Sequence, residues 1–317
     1  MAVDPNFLNP LTNPILFDVL KRFAYLFIAG FILILILKKF NLRALWQGEL
    51  GKRYLSWLVI GGLFMAFVFL GGIPSLIFIF VIMILALREI GMMAKLPKAH
   101  LRMLYFLAFA SIIVASYFEF KFYVLPILYF ATLTTLTIRR NDKKGFFPLA
   151  TSLYAAIWII FFLCHFILLG HLNNDIDTTK ALLFMVGFAV PLADIGAYIF
   201  GRAFSKVSFL NRFKIADKIS PKKIWAGVLG DIAGAGIGIW IMYFAVGKYF
   251  SVIELAILAC LIGVLSVIGD MNESLVKRYF NVKDSSSLIP GHGGMLDRID
   301  SVIRVIVVVY YFSLAVL

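Results

Sequence analysis

Between two long apolar runs near the end of the chain lies the polar sequence GDMNESLVKRYFNVKDSSSLIPGHGGMLDRID, from Gly269 to Asp300. The apolar runs cover residues 251–270 and 301–317, and each is close to the length that an α-helix needs to cross a bilayer. Carboxylates, cations and hydroxyls packed this densely at a membrane boundary cost free energy unless they serve a site. The sequence therefore predicts a membrane protein with a functional site at one surface.

The rest of the chain has the composition of a polytopic membrane protein. Hydrophobic residues make up 62% and charged residues 15%, and the mean hydropathy of +0.97 is far above the globular range. We predict an all-α polytopic integral membrane bundle of nine or ten transmembrane helices with a cytosolic-facing polar site. The total is nine if residues 14–25, which hold Lys21 and Arg22, lie along the interface. The predicted spans are 17–37, 55–72, 74–88, 102–118, 123–138, 147–170, 179–201, 224–246, 251–270 and 301–317.

The formal net charge of +13 would suit a nucleic-acid-binding protein, but the positions of the cations argue against that class. Most of the 30 Lys and Arg residues fall in the connections after the first, third, fifth, seventh and ninth predicted spans. The positive-inside rule places these connections in the cytosol. We therefore predict no nucleic-acid partner, an active site that faces the cytosol, and a location in the cell inner or plasma membrane.

Acidic residues divide the chain into two regions. The spans up to about residue 175 hold almost no carboxylates, whereas Asp194, Asp231 and Asp270 lie in or at the ends of three successive later helices. Intramembrane ionisable groups usually face a bundle interior or a wet cavity, so these three predict a shared polar pocket. Structural hydrogen bonds between helices are the alternative. We predict a scaffold over residues 1–175 and a catalytic region over residues 176–317.

The polar sequence itself has the spacing of a metal and phosphate site. Continued as a helix, residues 269–278 present four polar side chains on one face: Asp270, Glu273, Ser274 and Lys277. Asp297 and Asp300 begin the last helix, where acidic residues also complement the helix dipole. Hard oxygen ligands without a Cys or His cluster suit Mg²⁺, and Asp270 with Asp297 is the best pair. The cations expected to bind phosphate oxygens are Lys277, Arg278, Lys283 and Arg298.

Two further segments are candidate anion-binding elements. Residues 290–294 contain three glycines around His292, so the backbone is free to adopt positive φ angles and bring N–H groups close to a ligand. Residues 220–223 read Ser-Pro-Lys-Lys and are expected to start the eighth helix, whose N-terminal N–H groups favour an anion. The glycines between Gly234 and Gly238 fall in mid-helix instead, which predicts close helix packing.

The same residues resemble a family signature, that of the CDP-diacylglycerol synthases, also called phosphatidate cytidylyltransferases. The similar elements are Ser274-Leu-Val-Lys-Arg, Lys283-Asp284, Pro290-Gly-His-Gly-Gly and Asp297-Arg-Ile-Asp. Two upstream blocks resemble the family in the expected order, namely Asp194-Ile-Gly-Ala-Tyr-Ile-Phe-Gly-Arg and Ser220-Pro-Lys-Lys. The resemblance covers residues 180–310.

The resemblance implies transfer of CMP from CTP to the phosphate of phosphatidic acid, which gives CDP-diacylglycerol and pyrophosphate. Its implied partners are CTP, phosphatidic acid and membrane lipids, with a homodimer left open. Its implied cofactors are Mg²⁺, held by Asp270 and Asp297, and K⁺ as a candidate second cation. The implied catalytic residues are Asp270, Asp297, Lys277, Arg278, Lys283, Asp284, His292 and Arg298. The implied substrate-binding residues are Asp194, Tyr198, Arg202, Ser220, Lys222, Lys223, Asp231, Ser274, Gly293 and Gly294.

The chain departs from the family pattern at a few positions. Ile224 and Ala226 stand where the pattern commonly has Thr and Glu, and Ser205 and Ser286 stand where glycine is expected. The lost hydroxyl and carboxylate motivate an alternative, in which the same fold acts on another phosphorylated membrane lipid. An ion-coupled transporter is a second alternative, although the sequence has no matching pair of broken helices in its two halves.

Overall fold

The computed structural model describes residues 13–37, 48–141, 143–172, 176–204, 214–216, 220–289, 291 and 293–317. Within these ranges the side chains of residues 37, 49–50, 119–120, 176–177 and 221–222 are not described. The helices are α1 Leu16–Leu37, α2 Glu49–Leu70, α3 Gly72–Met93, α4 Lys98–Tyr117, α5 Leu125–Arg139, α6 Phe146–Ala155, α7 Phe162–Gly170, α8 Ile176–Phe204, α9 Trp225–Val246, α10 Val252–Tyr279 and α11 Leu296–Val316. A 3₁₀ helix, Glu119–Val124, precedes α5, and a π-helical turn, Ala156–Phe161, joins α6 to α7.

The predicted all-α membrane bundle is confirmed. Within the described part of the chain, ten helical segments are long and apolar enough to cross a membrane, with α6, its π-helical turn and α7 forming one of them. The first of these segments, Leu16–Ile36, includes both cations that raised the nine-span alternative. The protein is therefore an integral membrane protein with ten candidate spans, matching the larger predicted number.

Helix α10 extends beyond the apolar run that predicts it. It begins at a capping box, in which the Ser251 hydroxyl accepts from the Glu254 N–H at 3.3 Å and the Glu254 carboxylate accepts from the Ser251 N–H at 2.7 Å. It ends at Tyr279 rather than near residue 270. The additional turns cover residues 269–278 and carry the polar face predicted there, so these side chains lie on the last turns of the helix.

Helices α8 and α9 form the most extensive helix pair, and small residues bring them together. A side chain at Gly234 would collide with the backbone of Leu192, and one at Gly238 would collide with the backbone of Ala189. Backbones approach this closely only where side chains are small. The prediction that the glycines of residues 234–238 serve helix packing is thus confirmed for Gly234 and Gly238.

The segment before α9 was predicted wrongly. The described residues there form an antiparallel ribbon, in which β1 Lys214–Ala216 pairs with β2 Ser220–Ile224, and α9 begins only at Trp225. Ile224 is extended, with φ −117° and ψ 155°, as suits a β-branched residue. Because residues 220–223 pair with another strand, they do not form the first turn of a helix as the Ser-Pro pair predicted.

The buried apolar side chains form one cluster that includes residues of α3 and α11. The two predicted regions therefore share a core, and the division near residue 175 stays a prediction about function.

Candidate functional site

Several helix ends meet at one face of the bundle around a cavity of about 1780 Å³. The start of α2, the ends of α8 and α10, strand β2 and the start of α11 all contribute lining residues. The cavity is larger than the roughly 300–1,000 Å³ typical of a site for one small ligand. Its lining includes most of the predicted site residues: Asp194, Tyr198, Arg202, Ser220, Lys223, Asp231, Asp270, Lys277, Lys283, Asp284, Gly293, Asp297 and Arg298.

A group of three carboxylates lies in this cavity. One oxygen each from Asp270, Glu273 and Asp300 fall within 4.8 Å of one another. Asp270 and Glu273 are one turn apart on α10, and α11 supplies Asp300. The two helices approach closely at Gly269, where a Cβ atom would lie 2.7 Å from the Asp300 carbonyl oxygen. Close packing of α10 on α11 therefore brings the third carboxylate to the other two.

This carboxylate group has the chemistry of a cation site. Glu273 is 1% exposed, and its Oε1 atom has no hydrogen-bond partner among the described residues. A buried carboxylate oxygen without a donor is costly, and a bound cation would satisfy it. All three side chains offer the hard oxygen ligands that Mg²⁺ prefers. The residues present thus fit a divalent cation.

Asp297 makes a different set of contacts from those of the other acidic residues. Its Oδ1 atom accepts from Lys277 Nζ at 2.6 Å. Its Oδ2 atom accepts from the Ser285 N–H at 3.0 Å, the Ser285 hydroxyl at 2.7 Å and the Gly294 N–H at 2.7 Å. The structure therefore groups Asp270 with Glu273 and Asp300, whereas Asp297 holds the loop that precedes it. Its role as a metal ligand stays a prediction.

Cations border the carboxylates on two sides. Lys277 Nζ lies 2.6 Å from Glu273 Oε2 and bridges that residue to Asp297. Lys223, near the end of β2, forms an ion pair with Asp270 Oδ2. Arg298 also lines the cavity, and its Nε atom is buried without a hydrogen-bond partner among the described residues. Positive charge from three elements therefore surrounds the acidic group, as an anionic ligand requires.

The two aspartates predicted to share a pocket with Asp270 both line the cavity. Asp194, on α8, accepts a hydrogen bond from the Ser266 hydroxyl at 3.0 Å. Asp231, on α9, is 4% exposed. The polar pocket thus includes side chains of the transmembrane helices α8 and α9.

Other predicted residues lie outside the cavity lining. Ser274 donates to Asp270 Oδ1 at 3.3 Å, and Gly294 is buried beneath the loop. Arg278 is exposed, and the structure does not bring it to the other site residues. The predicted contributions of His292 and of the Lys222 side chain lie outside the described residues.

Sequence reasoning missed two contributions from the N-terminal half. Glu89, at the end of α3, is 2% exposed and accepts hydrogen bonds from the loop before α11. Arg53, at the start of α2, donates from Nε to the Gly291 carbonyl oxygen at 3.1 Å. The sequence signal for Glu89 was a single acidic residue at the end of an apolar run. Because Arg88 stands beside it, the two charges resemble the ordinary end of a transmembrane helix.

Ten candidate membrane spans in the described part of the chain, several of which line a cavity with acidic and basic side chains, define an integral membrane protein with a polar cavity. The chain belongs to the cytidylyltransferase family, which it matches over residues 51–316. This confirms the family resemblance and extends it from the C-terminal motifs into the N-terminal half.

Curated relatives carry the name phosphatidate cytidylyltransferase. The Synechocystis sp. protein is 41% identical over 141 residues, which are 44% of this chain and 45% of the relative. The Haemophilus influenzae protein is 42% identical over 154 residues, 47% of this chain and 51% of the relative. The Pseudomonas aeruginosa protein is 42% identical over 123 residues, 38% and 43% of the respective chains. The chain thus matches about half the length of these relatives.

Proposed function

We propose that this protein is a phosphatidate cytidylyltransferase, which transfers CMP from CTP to phosphatidic acid and releases pyrophosphate. One observation carries the proposal: a single cavity joins a group of carboxylates and cations to apolar surface between transmembrane helices. The family and the names of its relatives support the same activity.

The cavity has room for two dissimilar substrates. At the polar end, the Lys223, Lys277 and Arg298 side chains supply positive charge for the phosphates of CTP. Toward the membrane interior, the lining is apolar and comes from α2, α3 and α8: Ile60, Phe64, Ile79, Val186 and Val190. A lipid whose tail lies along this surface would present its phosphate to the polar end. Lateral entry of phosphatidic acid from the membrane follows from this arrangement.

Asp270, Glu273 and Asp300 would hold a divalent cation, for which Mg²⁺ is our proposal. When bound, the cation would neutralise negative charge on the phosphates of CTP. Asp297, from the predicted metal pair, and K⁺, as a second cation, are further proposals for the same region.

The reaction needs no nucleophile from the protein. An oxygen of the lipid phosphate forms a bond to the α-phosphorus of CTP, while the bond from that phosphorus to the bridging oxygen of the β-phosphate breaks. Pyrophosphate leaves with the electron pair of that bond. The chain must therefore align two polyanions and balance their charge, which is the main protein contribution to phosphoryl transfer. Lys223, Lys277 and Arg298 are the residues placed to do so.

We also propose that the site faces the cytosol from the cell inner or plasma membrane. The helix ends that surround the cavity are those that adjoin the predicted cytosolic connections, where most cations occur. CTP would then meet the site directly from the cytosol.

The test is CMP transfer by the purified full-length protein in lipid vesicles. We expect pyrophosphate release from CTP only when phosphatidic acid is present, with a matching amount of CDP-diacylglycerol. Diacylglycerol, which lacks the phosphate, is the matched negative control, and other lipid phosphates test the acceptor. Release of pyrophosphate without any lipid phosphate, or no product with any of them, would refute the proposed activity.

A further inference from the structure

Glu89, in the N-terminal half of the chain, forms hydrogen bonds to the polar loop of residues 280–295. This loop connects α10 to α11. Its Oε1 atom accepts from the Ser286 hydroxyl at 2.7 Å and the Met295 N–H at 2.8 Å. Its Oε2 atom accepts from the Leu296 N–H at 2.8 Å and lies 2.9 Å from Ser285 Oγ, whose single proton is shared between Glu89 and Asp297 Oδ2. Both oxygens of one buried carboxylate are therefore used by residues about 200 positions away.

Two of these bonds replace a helix cap. Helix α11 begins after Met295, whose side chain makes no capping hydrogen bond. The first N–H groups of a helix have no partner within the helix, and their end of the helix attracts negative charge. Glu89 supplies both the acceptor and the charge at this position. The first N–H groups of α11 are thus capped by a residue of α3, while Asp297 supplies a second negative charge within the first turn.

The other two bonds lead toward the cavity. Ser285, which contacts Glu89, also contacts Asp297 Oδ2 through its N–H and its hydroxyl. Asp297 in turn accepts from Lys277 Nζ at 2.6 Å. A short chain of polar contacts therefore connects Glu89 to a cation that lines the cavity, although Glu89 is not part of the lining.

The packing leaves little freedom in this connection. A Cβ atom on Gly294 would collide with the Ser285 hydroxyl and with the carboxylate of Glu89. Gly293, next to it, has a φ of +85°, which L side chains rarely adopt. Gly293 and Gly294 are thus tightly packed between Glu89 and Asp297.

We propose that Glu89 is a positioning residue for CMP transfer, an inference that rests on the proposed function. It aligns Asp297 and Lys277 by fixing the loop of residues 280–295 and the start of α11, and it contacts neither substrate. A displacement of about 1 Å at a reacting group is able to slow a reaction about 100-fold. Loss of the Glu89 charge should therefore lower kcat and leave KM nearly unchanged.

The main variant is Glu89→Gln, which keeps the size of the side chain but turns one acceptor oxygen into an NH₂ donor that faces other donors. We expect kcat to fall by about 10- to 100-fold and KM for CTP and for phosphatidic acid to change by less than about 3-fold. The matched control is Glu254→Gln, which removes another carboxylate that accepts a backbone N–H, in the capping box at the opposite end of α10. This control should keep the wild-type kcat.

Ser286→Ala provides a milder second variant, because it removes one bond to Glu89, together with the bond that Ser286 accepts from the Leu288 N–H at 3.2 Å, and leaves the carboxylate in place. We expect kcat to fall by about 2- to 5-fold, less than the roughly 10-fold expected of losing one full charge-assisted hydrogen bond. The double variant should be nearly as slow as Glu89→Gln alone, since both substitutions act on the same loop and share the Glu89–Ser286 contact. If the kcat loss of the double variant equalled the product of the two single losses, the proposal would be overturned.

Cleavage by trypsin after the exposed Lys283 reports on the loop without any need for activity. Glu89→Gln should accelerate this cleavage by about 10-fold or more relative to wild type and Glu254→Gln, because local opening becomes easier. A wild-type kcat in folded Glu89→Gln, or unchanged cleavage, would overturn the proposal. If Glu89→Gln does not fold, the decisive measurement is the kcat of Ser286→Ala, and an unchanged value there would overturn the proposal. If wild-type protein makes no product, the proposed function has failed, and the cleavage rates alone decide whether Glu89 holds the loop.

Discussion

Two aspartates of the site should respond differently to the same substitution, Asp→Asn. The Asp297 side chain is 6% exposed and pairs with Lys277, whose side chain is 13% exposed. Breaking a buried pair costs about 3–5 kcal/mol when the remaining charge has no partner, and because Lys277 keeps its contact with Glu273 we take the lower end of this range. The Asp270 side chain is 41% exposed in its pair with Lys223. An exposed pair contributes only about 0.2–1 kcal/mol.

We therefore expect Asp297→Asn to lose about 2–3 kcal/mol more stability than Asp270→Asn, the difference between these two kinds of pair. Both variants should lose turnover, by about 100-fold or more if each removes a little under 3 kcal/mol of transition-state stabilisation. The reasons differ. Asp270→Asn weakens the proposed cation group, whereas Asp297→Asn weakens the contacts to Ser285 and Gly294 and removes one of the two carboxylates that hold Lys277.

The assay compares three purified variants in one detergent. The free energy of unfolding is measured by denaturant titration, and CMP transfer is measured over a range of Mg²⁺ concentrations. Asp18→Asn is the matched control, because Asp18 is half exposed on α1 and pairs only with Lys21 and Arg22 among the described residues. Equal stability for Asp297→Asn and Asp270→Asn would refute the assignment of Asp297 to the loop. An unchanged Mg²⁺ dependence in Asp270→Asn would remove Asp270 from the cation group.

Three further predictions concern the acceptor, the orientation and the packing. Ile224→Thr, at a buried position of the cavity lining, should raise turnover with phosphatidic acid by up to about 10-fold if a hydrogen bond of about 1.5 kcal/mol forms in the transition state; no gain in a panel of lipid phosphates would contradict this. With the native cysteines replaced, a cysteine at His171 should react with an impermeant thiol reagent outside intact cells and one at Lys143 should not, and labelling of the latter would reverse the orientation. Gly234→Leu should prevent recovery of folded protein because α8 leaves no space for the side chain. The control is Gly62→Leu, because a Cβ atom at Gly62 meets nothing within 4 Å. This control should fold and elute normally in size-exclusion chromatography.

The helices were predictable from the sequence because hydropathy and length are local properties of a segment. The ribbon before α9 was not, since Ser220–Ile224 becomes a strand only by pairing with Lys214–Ala216. Its sequence contains Ser-Pro, which is an equally good start for a helix. The π-helical turn Ala156–Phe161 has an ordinary apolar sequence, and nothing in it marks the change of helix type.

The acidic residues of the site were predictable individually but not their grouping. Asp297 and Asp300 are three residues apart, so they point to similar sides of α11 but at heights that differ by about 4.5 Å. Which of them meets Asp270 depends on how far α11 extends past α10, and the contact at Gly269 sets that position. Asp300 joins the carboxylate group as a result, and Asp297 contacts the loop.

Glu89 illustrates the remaining limit, because its role depends on a contact between distant parts of the chain. In the sequence it is one acidic residue at the end of an apolar run, where a charge costs little. In the structure it is buried and binds both the loop and the start of the last helix. The scaffold half therefore does more than surround the site. Since the described residues of 269–300 give no side-chain acceptor to the first N–H groups of α11, the geometry there depends on Glu89, and the same motifs on another scaffold would lack that constraint.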